Sequence, residues 1–513
     1  MCGIIGIHSD SMNHTLDVLV QGLSYLEKRG QDGTGAALIN SEKGLIDARK
    51  YHKSIGSNFI KMLEGSALRV HPSMALGQTR YTTSSHKVTA QENLVNTQPI
   101  ELPGEDIVRA VSVHNGNLPL STLDFVKGSI VNKCDMMCTV DSRYLTEYFD
   151  QELNKAGDSR KAAEVIMNKV IGAYSFMFSD GKDIYAMRDP WGFRPLCLGT
   201  VEGAWGRANV AVSESGFFKE VSAHGFDAEF IRHMMPGEFL NLSGRLDDPQ
   251  QLVSFGRLWR CFFEPKYFMD RFSIADGTEM GNVEYRFADG YDLCLQYKDV
   301  AKTIDRLIPV KNSGLTFAQG FYKCLVQLNP EAEYHDVLEK PKDPDSGKII
   351  RNFIQRDQIR NPRFYIDSHV VKDKNVALVD DSIVRGDSIT EIYKTVKDAG
   401  AKEVHFFVSC PPIFFSCEYG IDTPDNHELL AHSLLVEGIV DHDDMHLMRY
   451  DINKVNEPMT RKVRDKISSK YGDSVNPDDI YVHYQSPDNN LKNLPLPKDQ
   501  YCLACLNGKK LVV

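Results

Sequence analysis

Two domains, the first α+β and the second α/β with a parallel sheet, are predicted by three observations. The 513 residues exceed what a single hydrophobic core ordinarily holds. The first 240 or so residues break into short strand-like runs, such as Ile107 to Val113 and Ile184 to Arg188, between Gly, Asn, Asp and Pro turns. Farther on come the apolar run Val376 to Val379, a polar loop, a stretch with Ile389, Ile392, Val396 and Ala399 at helical spacing, and the run Val404 to Val408. That order is a βαβ unit and implies a parallel sheet.

Between the two halves, Pro236-Gly237-Glu238 and the polar stretch Asn241 to Gln250 read as a linker. The expected division is therefore residues 2–245, residues 255–470 and a C-terminal segment 471–513. Within the βαβ unit, Ser388 with Glu391 three residues later predicts a capping box, and Gly400 sits where the helix should end. The last 40 residues are polar and dotted with proline, which predicts an extended course over the surface. Neither an internal repeat nor a low-complexity stretch is present.

Composition narrows the function classes. With 42% hydrophobic and 25% charged residues the chain reads as an ordinary soluble globular protein. A net charge of -11, from 59 basic and 70 acidic residues, would repel a nucleic-acid backbone. No apolar run approaches the roughly 18 residues that cross a bilayer, and Met1-Cys2-Gly3-Ile4 opens no secretory leader, so a cytoplasmic protein without membrane association is expected. Eleven cysteines, an odd number scattered over the chain, do not suit a secreted disulfide framework and leave catalysis or metal binding open to them.

Once Met1 is removed, Cys2 places a thiol beside a free α-amine of pKa about 8, so one residue supplies both nucleophile and base. A second-position cysteine is usually just a small buried residue, but others keep it company here. Cys2-Gly3-Ile4-Ile5-Gly6, Arg29-Gly30-Gln31-Asp32 with Gly35, Gly77-Gln78-Thr79-Arg80-Tyr81, His114-Asn115-Gly116-Asn117-Leu118 and Asp141 follow one another along the chain. In this order they resemble the motif blocks of the class II glutamine amidotransferases. The resemblance implies an N-terminal-nucleophile (Ntn) hydrolase αββα sandwich, with Cys2 as the nucleophile and the Asn115 side chain and Gly116 amide as oxyanion donors. It further implies that Arg80 and Asp141 hold the carboxylate and ammonium of free glutamine, and that Arg29 lies in the substrate-binding loop.

Val376 to Gly386 reads as a buried strand that ends in paired carboxylates, Asp380 and Asp381, and turns into a helix. The loop and helix N-H groups can cradle a 5'-phosphate, and the carboxylates can accept hydrogen bonds from ribose hydroxyls. Paired aspartates at a strand end are otherwise commonly a turn or cap. Asp380-Asp381-Ser382-Ile383-Val384-Arg385-Gly386 resembles the 5-phosphoribosyl 1-diphosphate (PRPP) motif of type I phosphoribosyltransferases, and is close to that of the amidophosphoribosyltransferase family. Agreement continues through Arg188 to Leu196, Ser213-Glu214-Ser215, Pro236-Gly237-Glu238, Arg351-Asn352-Phe353-Ile354 and Tyr419-Gly420-Ile421-Asp422, up to about residue 430.

The resemblance implies a parallel-sheet type I phosphoribosyltransferase domain in which Asp380, Asp381, Arg385, Gly386, Ser388 and Arg351 bind PRPP. Mg2+ would be met through PRPP by Asp380, Asp381 and Ser313. The reaction implied makes 5-phosphoribosylamine, glutamate and pyrophosphate from PRPP, glutamine and water, the first committed step of purine synthesis. Purine nucleotides are implied as inhibitors, and a homotetramer or homodimer as the assembly. From Lys340 to Lys374, nine Lys or Arg stand against five Asp, a basic island that suits an anionic substrate and a loop that closes over it.

Cys502-Leu503-Ala504-Cys505 by itself could be zinc-binding, redox-active or neither. With Cys261 and Cys417 it matches positions that hold a 4Fe-4S cluster in one branch of the family, which implies such a cofactor here.

Several positions depart from the family pattern. Asp387-Ser388 follow Arg385-Gly386 where Thr-Thr is usual, the segment Pro309-Val310-Lys311-Asn312-Ser313-Gly314 stands where the family tends to have Pro-Asp-Ser, Arg143 replaces an acidic residue and Lys28 a histidine. Asp387 would set a carboxylate beside the phosphate or else start the helix. Two rival readings follow: a regulatory paralogue without turnover, and a glutaminase serving another acceptor. Retention of Cys2, Arg80, Asn115, Gly116, Asp141, Asp380 and Asp381 opposes the first, and the Asp380 to Gly386 loop opposes the second.

Overall fold

The structure, a computed structural model, describes residues 2–511 except 83–88, 106, 132–136, 341–363, 422, 424 and 473–474. The first half contributes β1 (Gly3–Ser9), β2 (Gly33–Asn40), β3 (Leu45–Tyr51), β4 (Met74–Arg80), β5 (Ile100–Pro103), β6 (Val108–Asn117), β7 (Ala173–Ser179), β8 (Ile184–Arg188), β9 (Cys197–Gly203), β10 (Gly206–Val212), β11 (Asp227–His233) and β12 (Phe239–Asn241). They form a seven-stranded sheet in the order β11-β9-β10-β1-β4-β2-β3 and a five-stranded sheet in the order β12-β8-β7-β6-β5, both antiparallel.

Both sheets are covered on both faces, which is why strands such as β2 and β7 are buried from end to end and read as unbroken runs rather than as alternation. Ile4, Leu76 and Ala211 of one sheet meet Val111, Val113 and Met177 of the other. The outer face of the first packs through Ile5, Leu19, Leu23 and Phe59 under the helices Met12–Leu26 and Ser57–Val70. The outer face of the second packs through Phe149, Ile166, Phe176 and Phe178 under Asp141–Ala156 and Ser159–Lys169. This is the αββα layering expected.

The second half contributes β13 (Arg260–Cys261), β14 (Arg306–Pro309), β15 (Glu333–Tyr334), β16 (Asn375–Asp380), β17 (Glu403–Val408), β18 (Ile480–Tyr484) and β19 (Tyr501–Cys502). A parallel sheet runs β15-β14-β16-β17-β18. Helices Asn282–Gln296 and Gly314–Leu328 cover one face, and Asp387–Asp398 and Ile452–Tyr471 the other. Strand order reverses between β14 and β16, and in open parallel sheets the crevice beyond the carboxyl ends at such a point is where ligands bind. Gly314 lets its helix start against that crevice, since a Cβ there would lie 2.4 Å from the Val379 carbonyl oxygen.

Four local expectations are corrected. The helix Asp387–Asp398 is capped by Gly386 at φ 82 without a side-chain hydrogen bond, so Ser388 and Glu391 make no capping box; Gly400, at φ 96, does close the far end. Pro236-Gly237-Glu238 is a packed turn and not a linker: Gly237 N-H reaches the Arg188 and Asp189 carbonyls, and buried Glu238 pairs with Arg232 at 2.6 Å. The parallel sheet extends past residue 470, because the alternating burial of Ile480–Tyr484 supplies its fifth strand. The C-terminal segment is also folded in, as β19 pairs with β13 and Leu494, Tyr501 and Leu506 are buried against Phe262 and Ile413. No helix among the described residues is long and apolar enough to cross a membrane.

Candidate functional site

Gly3 of β1 lies opposite Thr79 of β4, which brings Cys2 beside Arg80. Cys2 is half-buried, with Sγ 3.9 Å from the Tyr81 carbonyl oxygen. Two loops enclose it. Gly30 is pressed so close to the Arg80–Tyr81 backbone that a Cβ would sit 2.4 Å from Arg80 C and O, and the Asp32 carboxylate accepts the Thr82 N-H at 2.8 Å. Buried Arg80 donates from Nε to Asn93 Oδ1 at 2.8 Å and from Nη1 to the Asn96 carbonyl. Its Nη2 makes no hydrogen bond to the described residues. Burial lowers the Arg80 pKa, and Cys2, Asp32, Cys138 and Asp141 pull it back up.

β1 and β6 pack across the sandwich, and β6 carries the expected oxyanion residues. His114 N-H donates to Gln98 Oε1 and Leu118 N-H to Asp141 Oδ2, at 2.5 and 2.9 Å. Strand periodicity then turns the Gly116 N-H toward this same edge, beyond Ser112, the last residue there that pairs with β5. Gly116 is required, since a Cβ would fall 1.8 Å from the Ala173 carbonyl oxygen. Asn115 is fully buried, yet neither Oδ1 nor Nδ2 has a partner among the described residues. Orphaned polar atoms of this kind cost roughly 1–3 kcal/mol each until a ligand satisfies them. His114, held neutral by burial, meets Ser142 Oγ at 3.0 Å and so steadies the strand beside Asp141.

The structure gives Arg29 a different place from the substrate-binding one expected. Its guanidinium donates to Glu214 Oε1 at 2.6 Å, to both Glu264 oxygens at 2.9 and 3.1 Å, and through Nε to the Cys2 carbonyl at 3.1 Å. Two buried carboxylates thus occupy it, and it fixes the backbone of Cys2. Glu264 also faces Arg194 at 3.4 Å, and Arg194 reaches the Tyr419 carbonyl. Gly420, at φ 105, lies against the Gly116 carbonyl, and Asn117 Nδ2 donates to the Glu418 carbonyl at 2.7 Å. The strand carrying Asn115 therefore touches the segment carrying Cys417.

Asp380 ends β16 at the switch point and Asp381 follows it. Burial, followed by mutual repulsion, pushes the Asp380 carboxyl well above its ordinary range. Burial also raises Asp381, with Ser313, Ser382 and Arg286 opposing. Asp381 is buried and Asp380 half-buried, and two adjacent carboxylates with a serine hydroxyl suit a divalent cation. The first-turn N-H groups of Asp387–Asp398 carry no side-chain cap, as an anion-binding helix start requires. Asp387 starts the helix and is paired with Lys466 at 2.8 Å. Lys311 is bound to Asp336 and Glu339, Arg385 donates to Glu428 at 2.5 Å, and Ser388 is exposed in the first helical turn. Arg351, with most of the basic island, lies outside the described residues.

Four cysteines converge from three segments. The parallel pairing of β13 with β19 sets Cys261 opposite Cys502, and Cys505 carries the carbonyl that accepts the N-H groups of Phe414 and Phe415, next to Cys417. Burial pushes the Cys505 thiol up, and Cys417, Cys502 and Cys261 push it further. Among the described residues no three His, Cys, Asp or Glu side chains form a set that could hold a single metal ion. Cys261 and Cys502 are buried, and Cys417 and Cys505 half-buried.

Glu264, Arg194, Glu214, Ser142, Lys266 and Asp289 were not singled out as site residues by sequence reasoning. The available signal was a charged residue inside an apolar run, as in Phe262-Phe263-Glu264-Pro265-Lys266-Tyr267-Phe268.

No family model matches the chain. A curated amidophosphoribosyltransferase of Methanocaldococcus jannaschii is 29% identical over 456 residues, 86% of this chain and 90% of that protein. A solved structure described as the allosteric regulatory enzyme of purine biosynthesis superposes with a TM-score of 0.73 at 25% identity, covering 99% of this chain and 96% of that one. A glutamine PRPP amidotransferase from B. subtilis, complexed with ADP and GMP, superposes with a TM-score of 0.72 at 24% identity, covering 99% and 97%. By sequence and by fold the chain is similar to amidophosphoribosyltransferases over most of its length.

Proposed function

We propose that this chain is an amidophosphoribosyltransferase, an enzyme that converts PRPP, glutamine and water into 5-phosphoribosylamine, glutamate and pyrophosphate. The observation that carries the reading is the buried path from the Cys2 carbonyl through Arg29 and Glu264 to Arg194 and the Tyr419 carbonyl, which ties the nucleophile site to the second half of the chain.

The Cys2 thiolate attacks the amide carbon of glutamine, and the oxyanion takes hydrogen bonds from Asn115 Nδ2 and the Gly116 N-H. Arg80 Nη2 meets the glutamine carboxylate and Asp141 its ammonium. Ammonia leaves, water hydrolyses the glutamyl thioester, and the ammonia attacks C1 of PRPP as pyrophosphate departs. Asp380 and Asp381 accept the ribose hydroxyls, while the Gly386–Ser388 amides cradle the 5'-phosphate. Mg2+ at Asp380, Asp381 and Ser313 would neutralise charge on the leaving pyrophosphate. Cys261, Cys417, Cys502 and Cys505 would hold a 4Fe-4S cluster that pins the C-terminal segment to the body.

Arg351 contributes to PRPP binding in this reading. Purine nucleotides inhibit at the same anion loop, a role suggested by the ADP and GMP in the B. subtilis complex. The catalytic units are residues 2–245 and a second unit from 255 that takes in β18, working as a cytoplasmic homo-oligomer. The test is an anaerobic assay with glutamine, PRPP and Mg2+, counting glutamate and pyrophosphate, with Cys2→Ala as control. Near-equal release that depends on Cys2 is expected. Glutamate without pyrophosphate would favour a glutaminase serving another acceptor, and neither product would favour a regulatory paralogue.

A further inference from the structure

Lys266 is fully buried, in a five-residue π-helical turn, Glu264–Phe268. Its ammonium sits among the rings of Phe262, Tyr285 and Phe317, 5.1 to 6.0 Å from their centroids. Two polar partners account for it: the carboxylate of fully buried Asp289, and the Ser409 carbonyl oxygen at 2.8 Å. Ser409 follows β17 and leans on the acidic pair. Its N-H donates to the Asp380 carbonyl at 3.0 Å and its hydroxyl to the Asp381 carbonyl at 3.3 Å. Asn490 Nδ2 braces the same Ser409 carbonyl at 2.7 Å, and Gln485 ties Asn490 back to the Asp289 backbone.

A buried ion pair is weak evidence for stability, because a well-packed apolar pair of similar volume often does as well or better. What the Lys266–Asp289 pair offers that an apolar pair would not is a directed donor under Ser409. We propose that Lys266 is a positioning residue for phosphoribosyl transfer, holding Ser409 so that the Asp380–Asp381 backbone stands at the height its carboxylates need to meet the ribose. The inference rests on the PRPP reading of this crevice. Arg286 shapes the same floor: it donates to the Pro265 and Met269 carbonyls at 2.8 and 2.9 Å and faces Asp381 electrostatically.

The test is the Lys266→Met/Asp289→Leu double variant, which removes both charges together and leaves no unpaired ion. Ammonia-dependent release of pyrophosphate from PRPP is followed together with glutaminase activity and thermal unfolding. The expected result is a PRPP KM raised about tenfold with glutaminase kcat unchanged and a native-like melting transition. Ser409→Ala, which removes only the hydroxyl contact to the Asp381 carbonyl, should raise the PRPP KM in the same direction, and it decides the matter if the double variant does not fold. A folded double variant, or a Ser409→Ala variant standing in for it, with wild-type PRPP KM would overturn the inference. If the wild-type protein itself releases no pyrophosphate from PRPP, the PRPP reading fails first, an outcome distinct from an unchanged KM.

Discussion

Arg29 and Glu264 meet in a buried ion pair, Nη2 to Oε1 2.9 Å, that joins the loop beside Cys2 to the turn leading into the second half of the molecule. Glu264→Gln leaves Arg29 with Glu214 alone and leaves Arg194 without its carboxylate. Breaking a buried pair from one side typically costs about 3–5 kcal/mol. Urea unfolding should show a loss of that order, with glutaminase activity falling because the Cys2 carbonyl loses its anchor. Unchanged stability would mean that the charges are relieved by a rearrangement absent here.

Asn115 behaves differently. Its amide is buried without a partner, so Asn115→Ala removes nothing that the ligand-free fold uses. The melting temperature should hold or rise, while kcat with glutamine drops roughly 10²–10³-fold, the usual cost of one lost oxyanion donor. Ammonia-dependent turnover should be untouched. A matching loss with ammonia would place Asn115 outside the oxyanion site.

Asp381→Asn probes the crevice. The substitution takes a buried charge away from Asp380, whose carboxyl is raised by burial and by this neighbour. The folded state should not lose stability. PRPP affinity should fall about tenfold or more, the worth of a charge-assisted hydrogen bond of roughly 1.5–3 kcal/mol. Calorimetric titration with PRPP and Mg2+ measures both the affinity and its loss.

Acid stability should depend on His483. Burial first, and then His405 at 3.1 Å, hold its imidazole down at about 3, against an ordinary value of 6.5. Between those values the unfolded chain binds a proton that the folded chain refuses. Stability is therefore fully present above 6.5 and is lost as pH falls toward 3. The window is worth on the order of 5 kcal/mol. His483→Phe should flatten the acid limb of melting temperature against pH, and an unchanged limb would assign it to other groups.

Cys505→Ser tests the cysteine set. Iron and acid-labile sulfide in anaerobically purified protein should fall to near zero, and the segment beyond Ser486 should become sensitive to limited proteolysis. Protein that never contains iron or sulfide, even as wild type, would leave the four thiols as packing residues.

Local chemistry explains which parts of this molecule were readable in advance. The βαβ unit around Asp380 was legible because its strands are continuous apolar runs and its helix keeps a 3.6-residue period, both set by nearest neighbours in sequence. Cys2, Asn115 and Asp381 were singled out because they stand in short runs of residue types that resemble known motifs. Arg29 was read as substrate-binding, and its partners Glu214 and Glu264 were not legible because they lie 185 and 235 residues away. Pro236-Gly237-Glu238 looked like a linker because a turn and a linker share a composition, and only the Arg232 pairing distinguishes them. The C-terminal segment looked extended because apolar residues that pack there, such as Leu494, Tyr501 and Leu506, are spread among polar and proline residues.

The sequence by itself determined the class of each half and the βαβ unit around Asp380, since these follow from local propensity and periodicity. Only the tertiary structure decided which charges meet: Arg29 with Glu264, Lys266 with Asp289 beneath Ser409, and Cys261 opposite Cys502. Burial makes an unpaired charge or donor costly, so each such group must find a partner wherever the fold brings one within reach, and that distance is not written in any local stretch of the chain.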